Sequence, residues 1–298
     1  MQLYRLKIKA LSNFATPLQG DTLFGQICWA IKYKYGNEEL EKLLNNYENK
    51  PFLVASDAFP SDYLPKPNLP MRFLDEDVKN KKENTKKTWI KFDDLIKAKY
   101  KSAKNIKDIE SRKDFNTKSN VMKNSLNYLT SKTEKDKFSP FGVIEYFVKD
   151  YEFDIYFLLS SSFDKNKLLE VMNLLSNLGY GKDISIGKGK FSFNIKDLEE
   201  IKIDNKTHTY MSLSAICLEN LSCEEVFYTP FTKFGKNSIQ VKSNKPFKKP
   251  ILLANTSTVI KYKIPKKELY EGKAIKGISS FEKAVSQGYS ILFPIKDI

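Results

Sequence analysis

GYGKDISIGKGKF, at residues 179–191, is the most informative segment of this 298-residue sequence. Its four glycines lack a Cβ, so the backbone can turn sharply or approach a ligand closely. Successive amides in such a turn can form a concave anion site, and Lys182, Lys188 and Lys190 add positive charge. A tight turn with a purely structural purpose fits the composition equally well.

The glycine spacing matches neither a dinucleotide-binding fingerprint nor a P-loop. Those motifs follow a strand and open a helix, whereas this segment follows a predicted helix at Asn166–Leu178 and enters a predicted strand at Lys190–Ile195. Phe191 and Phe193 share one face of that strand, as base-stacking aromatics do in RNA-recognition domains. Ile195 continues the same face, so core packing is the favoured interpretation.

Outward from this segment, the pattern predicts two-layer α+β structure. Residues 2–10 alternate as a strand, and Asp21 is a good N-cap for a helix that ends near Gly36. Further elements are predicted at Glu38–Tyr47 (helix) and at Pro51–Ser56, Phe141–Lys149 and Tyr151–Ser160 (strands). Without residues 75–140 the order is strand, helix, strand, strand, helix, strand, which is ferredoxin-like and RRM-like.

The length suits two tandem ferredoxin-like domains, at 1–200 and 201–298. The second is more β-rich, with strands at Thr209–Leu218, Ile251–Lys263 and Tyr289–Ile295. Residues 75–140 read as an insertion in the first domain, partly helical near Trp89–Tyr100 and partly mobile, because polar composition buries little apolar area.

Charge is the first functional signal: 50 Lys and Arg residues oppose 36 Asp and Glu, a net +14. Residues 75–137 alone hold 18 basic and 11 acidic side chains, and Val226–Lys267 holds ten lysines, six aromatics and no acid. Basic residues interleaved with aromatics can follow a nucleic-acid backbone and stack on bases. A solvated surface over core aromatics is the alternative.

Several classes of protein are disfavoured. The sequence has no apolar run long enough to span a bilayer, and Met1–Ala10 alternates like a strand, so we expect a cytoplasmic protein without membrane contact. Cys28, Cys217 and Cys223 form no CxxC pair, and His208 is the only histidine. We therefore expect no metal site, no cofactor and no catalytic residue.

Six segments spread along the chain are informative when taken in order: Thr16–Gly25, Ser56–Pro60, Leu64–Pro67, Asn124–Thr130, Gly179–Phe191 and Gln287–Ile295. In this order they resemble the Csm-type repeat-tag-binding RAMP subunit of type III-A CRISPR interference complexes. The ordered set is more specific than any single segment. The asparagine-centred block Asn124–Thr130 departs from the family pattern, because Tyr128 stands where an arginine is usual.

The resemblance implies a non-catalytic subunit that holds the 5′ tag of the guide RNA. It also implies contacts with the large polymerase/cyclase-like subunit, with a backbone RAMP subunit and, through a thumb-like insertion, with the guide–target duplex. The RNA-binding residues expected on these segments are Gly179, Gly181, Lys182, Ser185, Gly187, Lys188, Gly189, Lys190, Asp21, Thr22, Lys66, Asn124 and Tyr128.

Two alternatives stay open at the level of sequence. The first is a metal-independent RAMP endoribonuclease that processes repeat RNA, for which His208 is the only histidine available as a general base. It lies in a polar turn, where a solvated histidine is expected. The second alternative is a basic scaffold that binds proteins and touches RNA incidentally.

Overall fold

A computed structural model describes residues 1–109, 117–133, 139–237 and 247–298. The predicted strand at the start of the chain is confirmed as β1, and the first helix ends at Gly36 as expected. The second helix is shorter than predicted and stops at Leu44. The helices are α1 (Gly20–Tyr35), α2 (Asn37–Leu44), α3 (Lys81–Lys86), α4 (Phe92–Ile96) and α5 (Lys165–Leu178).

Sixteen strands in the described residues form several antiparallel sheets. Together with the helices they make a mixed α/β fold. The strands are β1 (Gln2–Ala10), β2 (Leu53–Pro60), β3 (Tyr63–Pro65), β4 (Trp89–Lys91), β5 (Thr117–Lys123), β6 (Phe141–Phe147), β7 (Glu152–Leu159), β8 (Phe191–Ser192), β9 (Leu198–Glu200), β10 (Thr209–Ser212), β11 (Glu225–Phe227), β12 (Pro230–Lys233), β13 (Ile251–Ala254), β14 (Val259–Lys261), β15 (Tyr270–Ile275) and β16 (Ser286–Pro294).

The first sheet has the spatial order β2-β7-β1-β8, with β9 also paired to β1. Along the chain its elements run β1-α1-β2-β7-α5-β8, which is the strand and helix order predicted for residues 1–200. The predicted membership of Phe141–Lys149 in this sheet is wrong, because that segment forms β6 and pairs with β5 instead. The strand predicted to end at Ile195 is also shorter, and Ile195 is exposed rather than packed in the core.

The segment 75–109 packs against the core, which corrects its description as part of a loosely packed insertion. Ile90 and Leu95 are fully buried, and Tyr100 nearly so. The Phe92 ring stacks on the Tyr156 ring of the first sheet at a centroid distance of 6.4 Å. These few apolar side chains are enough to attach the segment to the core, because each of them joins the buried cluster. This segment therefore covers the side of β7 on which Tyr156 lies.

The second part of the predicted insertion is a β-hairpin. Strands β5 and β6 pair over seven residues each, and Phe14 bridges to Tyr146 at the hairpin's base. Residues 110–116 and 134–138, which also belong to the predicted insertion, lie outside the described residues.

The second sheet has the order β11-β14-β10-β16-β15 and is antiparallel throughout. The predicted strand Ile251–Lys263 is two strands, because β13 pairs with β12 in a separate ribbon while β14 joins the sheet. Within the part of 201–298 that the structure describes there is no α-helix. The tandem ferredoxin-like arrangement is therefore not confirmed.

The two sheets share one hydrophobic core, and β2 connects them. A bulge interrupts the β2–β7 register between Ala55 and Ala58, so that Ser56 and Asp57 lie opposite the single residue Tyr156 of β7. The buried Gln287 side chain of β16 then bonds both backbone groups of Ala55, accepting at 2.9 Å and donating at 2.8 Å. One cluster of buried side chains runs from Leu6 in the first sheet to Ile291 in the second.

The close packing of α1 on the β2 bulge predicts opposite effects on stability for alanine substitutions at two glycines of the helix. A Cβ added at Gly20 would lie 2.9 Å from the Ser56 carbonyl carbon, whereas a Cβ at Gly25 in the same helix meets nothing within 4 Å. Gly20→Ala should therefore lower the free energy of unfolding by about 1–3 kcal/mol. The matched Gly25→Ala variant should raise it by about 0.5–1 kcal/mol. Urea unfolding of both variants measures this, and equal effects would contradict the packing.

Candidate RNA-binding site

The N-terminus of α1 is the point where both halves of the chain meet. The prediction that Asp21 caps this helix is wrong: the N-cap position is Gln19, two residues earlier, and the Gly20 N–H donates to Asp57 Oδ1 at 2.8 Å. The Thr256 hydroxyl, from the turn before β14, donates to the other Asp57 oxygen. Asp57 thus caps α1 from the β2 bulge and bonds the second half of the chain.

Desolvation raises the pKa of the Asp57 carboxyl to about 6, against the lowering effect of its two hydrogen-bond donors. The nearby Asp21 carboxylate adds to the rise, and Lys233 opposes it. Because Asp57 already occupies the helix end, the α1 N-terminus is not a vacant anion site.

Asp21 and Thr22, both predicted to bind RNA, bind a lysine of the second half instead of lying free. Lys233 of β12 donates to Thr22 Oγ1 at 2.9 Å and to Asp21 Oδ1. It also donates to Gln19 Oε1 at 3.2 Å. This lysine pairs with the second carboxylate at the helix end, so Asp21 is not free to contact a ligand.

Tyr180 anchors the glycine-rich segment to the same junction. Its fully buried side chain donates a hydrogen bond to the Pro17 carbonyl at 2.7 Å and accepts one from Gln19 N–H at 3.3 Å. Gly189 lies on the Tyr180 backbone, where any Cβ would collide with it. The Gly189 φ of 72° also favours glycine. Gly189 therefore allows the segment to pack closely on itself.

Two more glycines of the segment are held by packing. A Cβ at Gly181 would meet Thr16 Cβ at 2.6 Å, and one at Gly179 would meet the Lys188 carbonyl at 2.9 Å. Thr16 Oγ1 also accepts a hydrogen bond from Lys182 N–H at 2.9 Å. Gly187 alone among the four has open space around it.

The exposed part of the segment is therefore its tip. Lys182 and Ser185 are exposed, and so are Ile184 and Ile186 between and beside them. Together with Gly187 these residues form the loop tip, residues 182–187. A ligand can reach the backbone and side chains here without disturbing the packed glycines.

The other two lysines of the segment are engaged within the chain. Lys188 Nζ pairs with Glu145 of β6 at 2.6 Å, and Lys190 Nζ donates to the Asn177 carbonyl. Lys123 of β5 pairs with Asp183 at 2.7 Å, which holds the pKa of that carboxyl below its usual value. These ion pairs join the hairpin to the loop, and Glu145 itself is buried.

The remaining predicted residues fall in two places. Asn124 follows Lys123 directly and is exposed next to the loop, while Tyr128 at the hairpin tip is fully exposed. Lys66 is separate: its Nζ pairs with Glu76 and donates to the Asn84 carbonyl, both at 2.9 Å. The RNA-binding roles of all these residues stay predictions, and Lys182, Ser185, Gly187, Asn124 and Tyr128 are the most accessible.

A cleft of about 250 Å³ opens beside the α1 junction. Three of the segments singled out in the sequence meet in its walls: Thr16–Gln19, Asp57–Phe59 and Pro65. Phe14, Trp89, Tyr146, Val148, Phe153, Asn255 and Thr256 complete the lining. We call this space the junction cleft.

Sequence reasoning missed the residues that organise the site. Asp57 lies in the segment Ser56–Pro60, and Tyr180 lies in Gly179–Phe191. The sequence signal that could have identified them is a carboxylate or a tyrosine next to small residues. Lys233 belongs to the basic stretch Val226–Lys267, where Phe234 and Phe247 are exposed and Lys236 lies 5.1 Å from the Phe247 ring centroid. Residues 238–246 of that stretch are outside the described part of the chain.

The described residues contain no group of three or more His, Cys, Asp or Glu side chains placed to hold a metal ion. They also contain no helix long and apolar enough to cross a membrane.

Comparison with known proteins identifies the fold. No protein-family profile matches the sequence, and no curated protein sequence matches it significantly. The structure, in contrast, matches a chain of the "Csm1-Csm4 cassette in complex with pppApA" with a TM-score of 0.58 and 16% identity, covering 100% of this chain and 99% of that chain. It matches the same cassette in complex with AMPPNP with a TM-score of 0.58 and 18% identity, over 100% and 99% of the chains.

A third match is to the "Csm3-Csm4 subcomplex in the type III-A CRISPR-Cas interference complex". Its TM-score is 0.60 at 17% identity, over 99% of this chain and 100% of that chain. Csm4 is the component that both kinds of complex share. The resemblance to Csm-type RAMP subunits that the sequence segments indicated is therefore confirmed at the level of the fold, over the whole chain.

The raised pKa of Asp57 predicts how stability changes with pH. The folded value lies above the usual value for aspartate, so protonation favours the fold, and this contribution is lost as pH rises from about 4 through about 6. Asp57→Asn keeps an acceptor for Gly20 without the charge. Its stability relative to the unsubstituted protein should improve between pH 4.5 and 7.5, by at most about 3 kcal/mol.

Urea unfolding across that pH range measures the difference. Asp204→Asn, which removes an exposed carboxylate, is the matched control and should give a constant difference. A constant difference for Asp57→Asn as well would show that the Asp57 carboxyl is not strained by burial.

Proposed function

We propose that this chain is a guide-RNA-binding, non-catalytic subunit of a type III-A CRISPR effector complex that acts in the cytoplasm. It holds the 5′ repeat-derived tag of the guide and joins the large subunit to the backbone. The observation that carries this proposal is the match of the whole chain, end to end, to structures in which Csm4 is combined with Csm1 or with Csm3. Fold alone does not imply function, so the site must support it.

Three features of the surface support RNA binding. The net charge of +14 favours a polyanionic partner. The loop tip presents Lys182 and open backbone at Gly187, which suits a single strand's phosphates. The neighbouring hairpin carries Tyr128 with its ring fully exposed, available to stack on a base or duplex end.

The partners that we propose follow from the composition of the matched complexes. Csm1 and Csm3 are the proteins found there with Csm4, and we propose their counterparts, a large subunit and a backbone RAMP subunit, as partners of this chain. Contact with target RNA would come through the guide–target duplex at the β5–β6 hairpin.

The position of His208 speaks against the endoribonuclease alternative. Its Nδ1 lies 3.2 Å from the Tyr262 carbonyl, and its backbone N–H donates to Asp297 at 2.7 Å. These bonds hold it at the start of β10, the middle strand of the second sheet, in a different element from the loop tip and the hairpin. A general base must reach the 2′-hydroxyl of a bound RNA.

Removing the lysine of the loop tip should lower the affinity for RNA. Lys182→Ala removes an exposed cation that contacts one phosphate, so binding of an eight-nucleotide tag RNA should weaken about 3- to 10-fold at low salt. The slope of log affinity against log salt should fall in magnitude by about 0.7. Fluorescence anisotropy of the full chain measures both.

Lys206→Ala is the matched control, because Lys206 is exposed on the polar turn before the second sheet. Its slope should equal that of the unsubstituted chain. Equal salt slopes for all three proteins would show that Lys182 does not contact an RNA phosphate.

The proposed non-catalytic role can be tested by reconstituting the effector complex with the His208→Ala variant. A complex containing His208→Ala should assemble, keep its guide and cleave target RNA at the unsubstituted rate, because the chemistry resides in other subunits. Omission of the whole chain should instead impair guide loading and binding of the large subunit. Loss of repeat-RNA processing by His208→Ala, with assembly intact, would favour the endoribonuclease.

A further inference from the structure

The junction cleft is large enough for one nucleobase and is built mainly from rings and aliphatic groups. Trp89 and Tyr146 are partly exposed at its walls, whereas Phe14 and Phe59 are buried deeper. The Trp89 ring is fixed by an edge contact with Phe59, at a centroid distance of 6.3 Å. A flat apolar ligand between such rings gains stacking as well as burial.

The polar side of the junction cleft has spare hydrogen-bond donors. Gln19 and Asn255 both line it, and each uses its carbonyl oxygen internally, for Lys233 and for the Thr256 N–H respectively. No acceptor for either NH₂ group is found in the described residues. Both oxygens of Asp57 are already occupied. The cleft therefore offers donors to the ring nitrogens and carbonyl oxygens on the edge of a base.

Thr16 links the junction cleft to the loop tip. It lines the cleft, and its Oγ1 accepts the hydrogen bond of Lys182 N–H at 2.9 Å, so an RNA strand bound at Lys182 lies near the cleft. Tyr146 connects the cleft to the hairpin, because its backbone exchanges two hydrogen bonds with Phe14 at 2.8 and 3.2 Å. A base that turns out of a strand on this path needs to move only a short distance to enter the cleft.

We propose that the junction cleft receives a single unstacked nucleobase of the bound RNA strand. Trp89 and Tyr146 contact its faces, and Gln19 and Asn255 contact its edge. The proposal rests on the proposed RNA-binding function and adds a base-reading element to it. The cost of unstacking a base is small in single-stranded RNA, which is the substrate that modules of this kind bind by splaying bases out.

Tryptophan fluorescence offers a direct test, because the chain has only two tryptophans, Trp29 and Trp89. In the Trp29→Phe protein, Trp89 is the sole reporter. We would titrate it with eight-nucleotide RNAs of A, U or C and with an abasic eight-mer that keeps the ribose and phosphates, each carrying a fluorescein label. Anisotropy reports binding, and Trp89 emission, read with unlabelled RNAs, reports occupancy of the cleft.

The proposal predicts saturable quenching of Trp89 by at least one base-bearing RNA and none by the abasic strand, although the abasic strand still binds. Trp89→Leu should weaken the preferred RNA about 10-fold and leave abasic affinity unchanged. The matched Trp29→Leu variant should change neither. Circular dichroism checks that each variant is folded, and Tyr146→Leu should give the same pattern if Trp89→Leu fails to fold.

The outcomes separate the two proposals. Binding of every RNA without Trp89 quenching, or equal loss of abasic and base-bearing affinity in Trp89→Leu, would overturn the cleft assignment and leave the RNA-binding function intact. In that case protection of Trp89 by a partner subunit in the reconstituted complex would assign the cleft to protein contact. Absence of binding to all four strands would contradict the proposed function itself.

Discussion

The Asp57 carboxylate is the contact on which the rest of this structure depends. It caps α1, and it reaches that helix because the β2 bulge places Asp57 outside the regular β2–β7 pairing. The same bulge exposes the Ala55 backbone to Gln287 and lets Asp57 N–H donate to the Leu213 carbonyl at 2.9 Å. A carboxylate so placed is costly to desolvate, and the helix N–H and a hydroxyl offset that cost.

The glycine-rich segment is built onto this junction and has two parts with different physical roles. Gly179, Gly181 and Gly189 allow the backbone to fold closely around Tyr180, which fixes the segment against Pro17 and Gln19. The loop tip is then held at a defined position but stays exposed. A rigid support under an accessible tip is what a binding loop needs, since little ordering entropy is then lost on binding.

Local patterns predicted much of the first sheet. Alternation identified β1, helical spacing identified α1 and α5, and the glycine at 36 ended α1. Local patterns failed where a distant partner decides the outcome. Asp21 is a suitable N-cap by type, yet Asp57 takes that role from another element.

Long-range contacts also explain the other errors. The alternation in Phe141–Phe147 is typical of a member of the first sheet, but its partner is β5, a mostly polar segment in which only Val121 and Met122 are apolar. Similarly, segment 75–109 is polar on average, and it packs through a few apolar side chains on the core, among them Ile90, Leu95 and Tyr100. The site shows the same limit: lysines at 188 and 190 could be recognised as basic, but not as engaged by Glu145 and Asn177.

The central claim is that one RNA strand runs over the loop tip and along the β5–β6 hairpin, not across the first sheet. Ultraviolet crosslinking of the assembled complex to its guide RNA, followed by mass spectrometry of this chain's peptides, tests that path most directly. Adducts should concentrate on residues 182–187 and on the hairpin around Asn124. Adducts confined to the second sheet around His208, or their absence from this chain, would contradict the account.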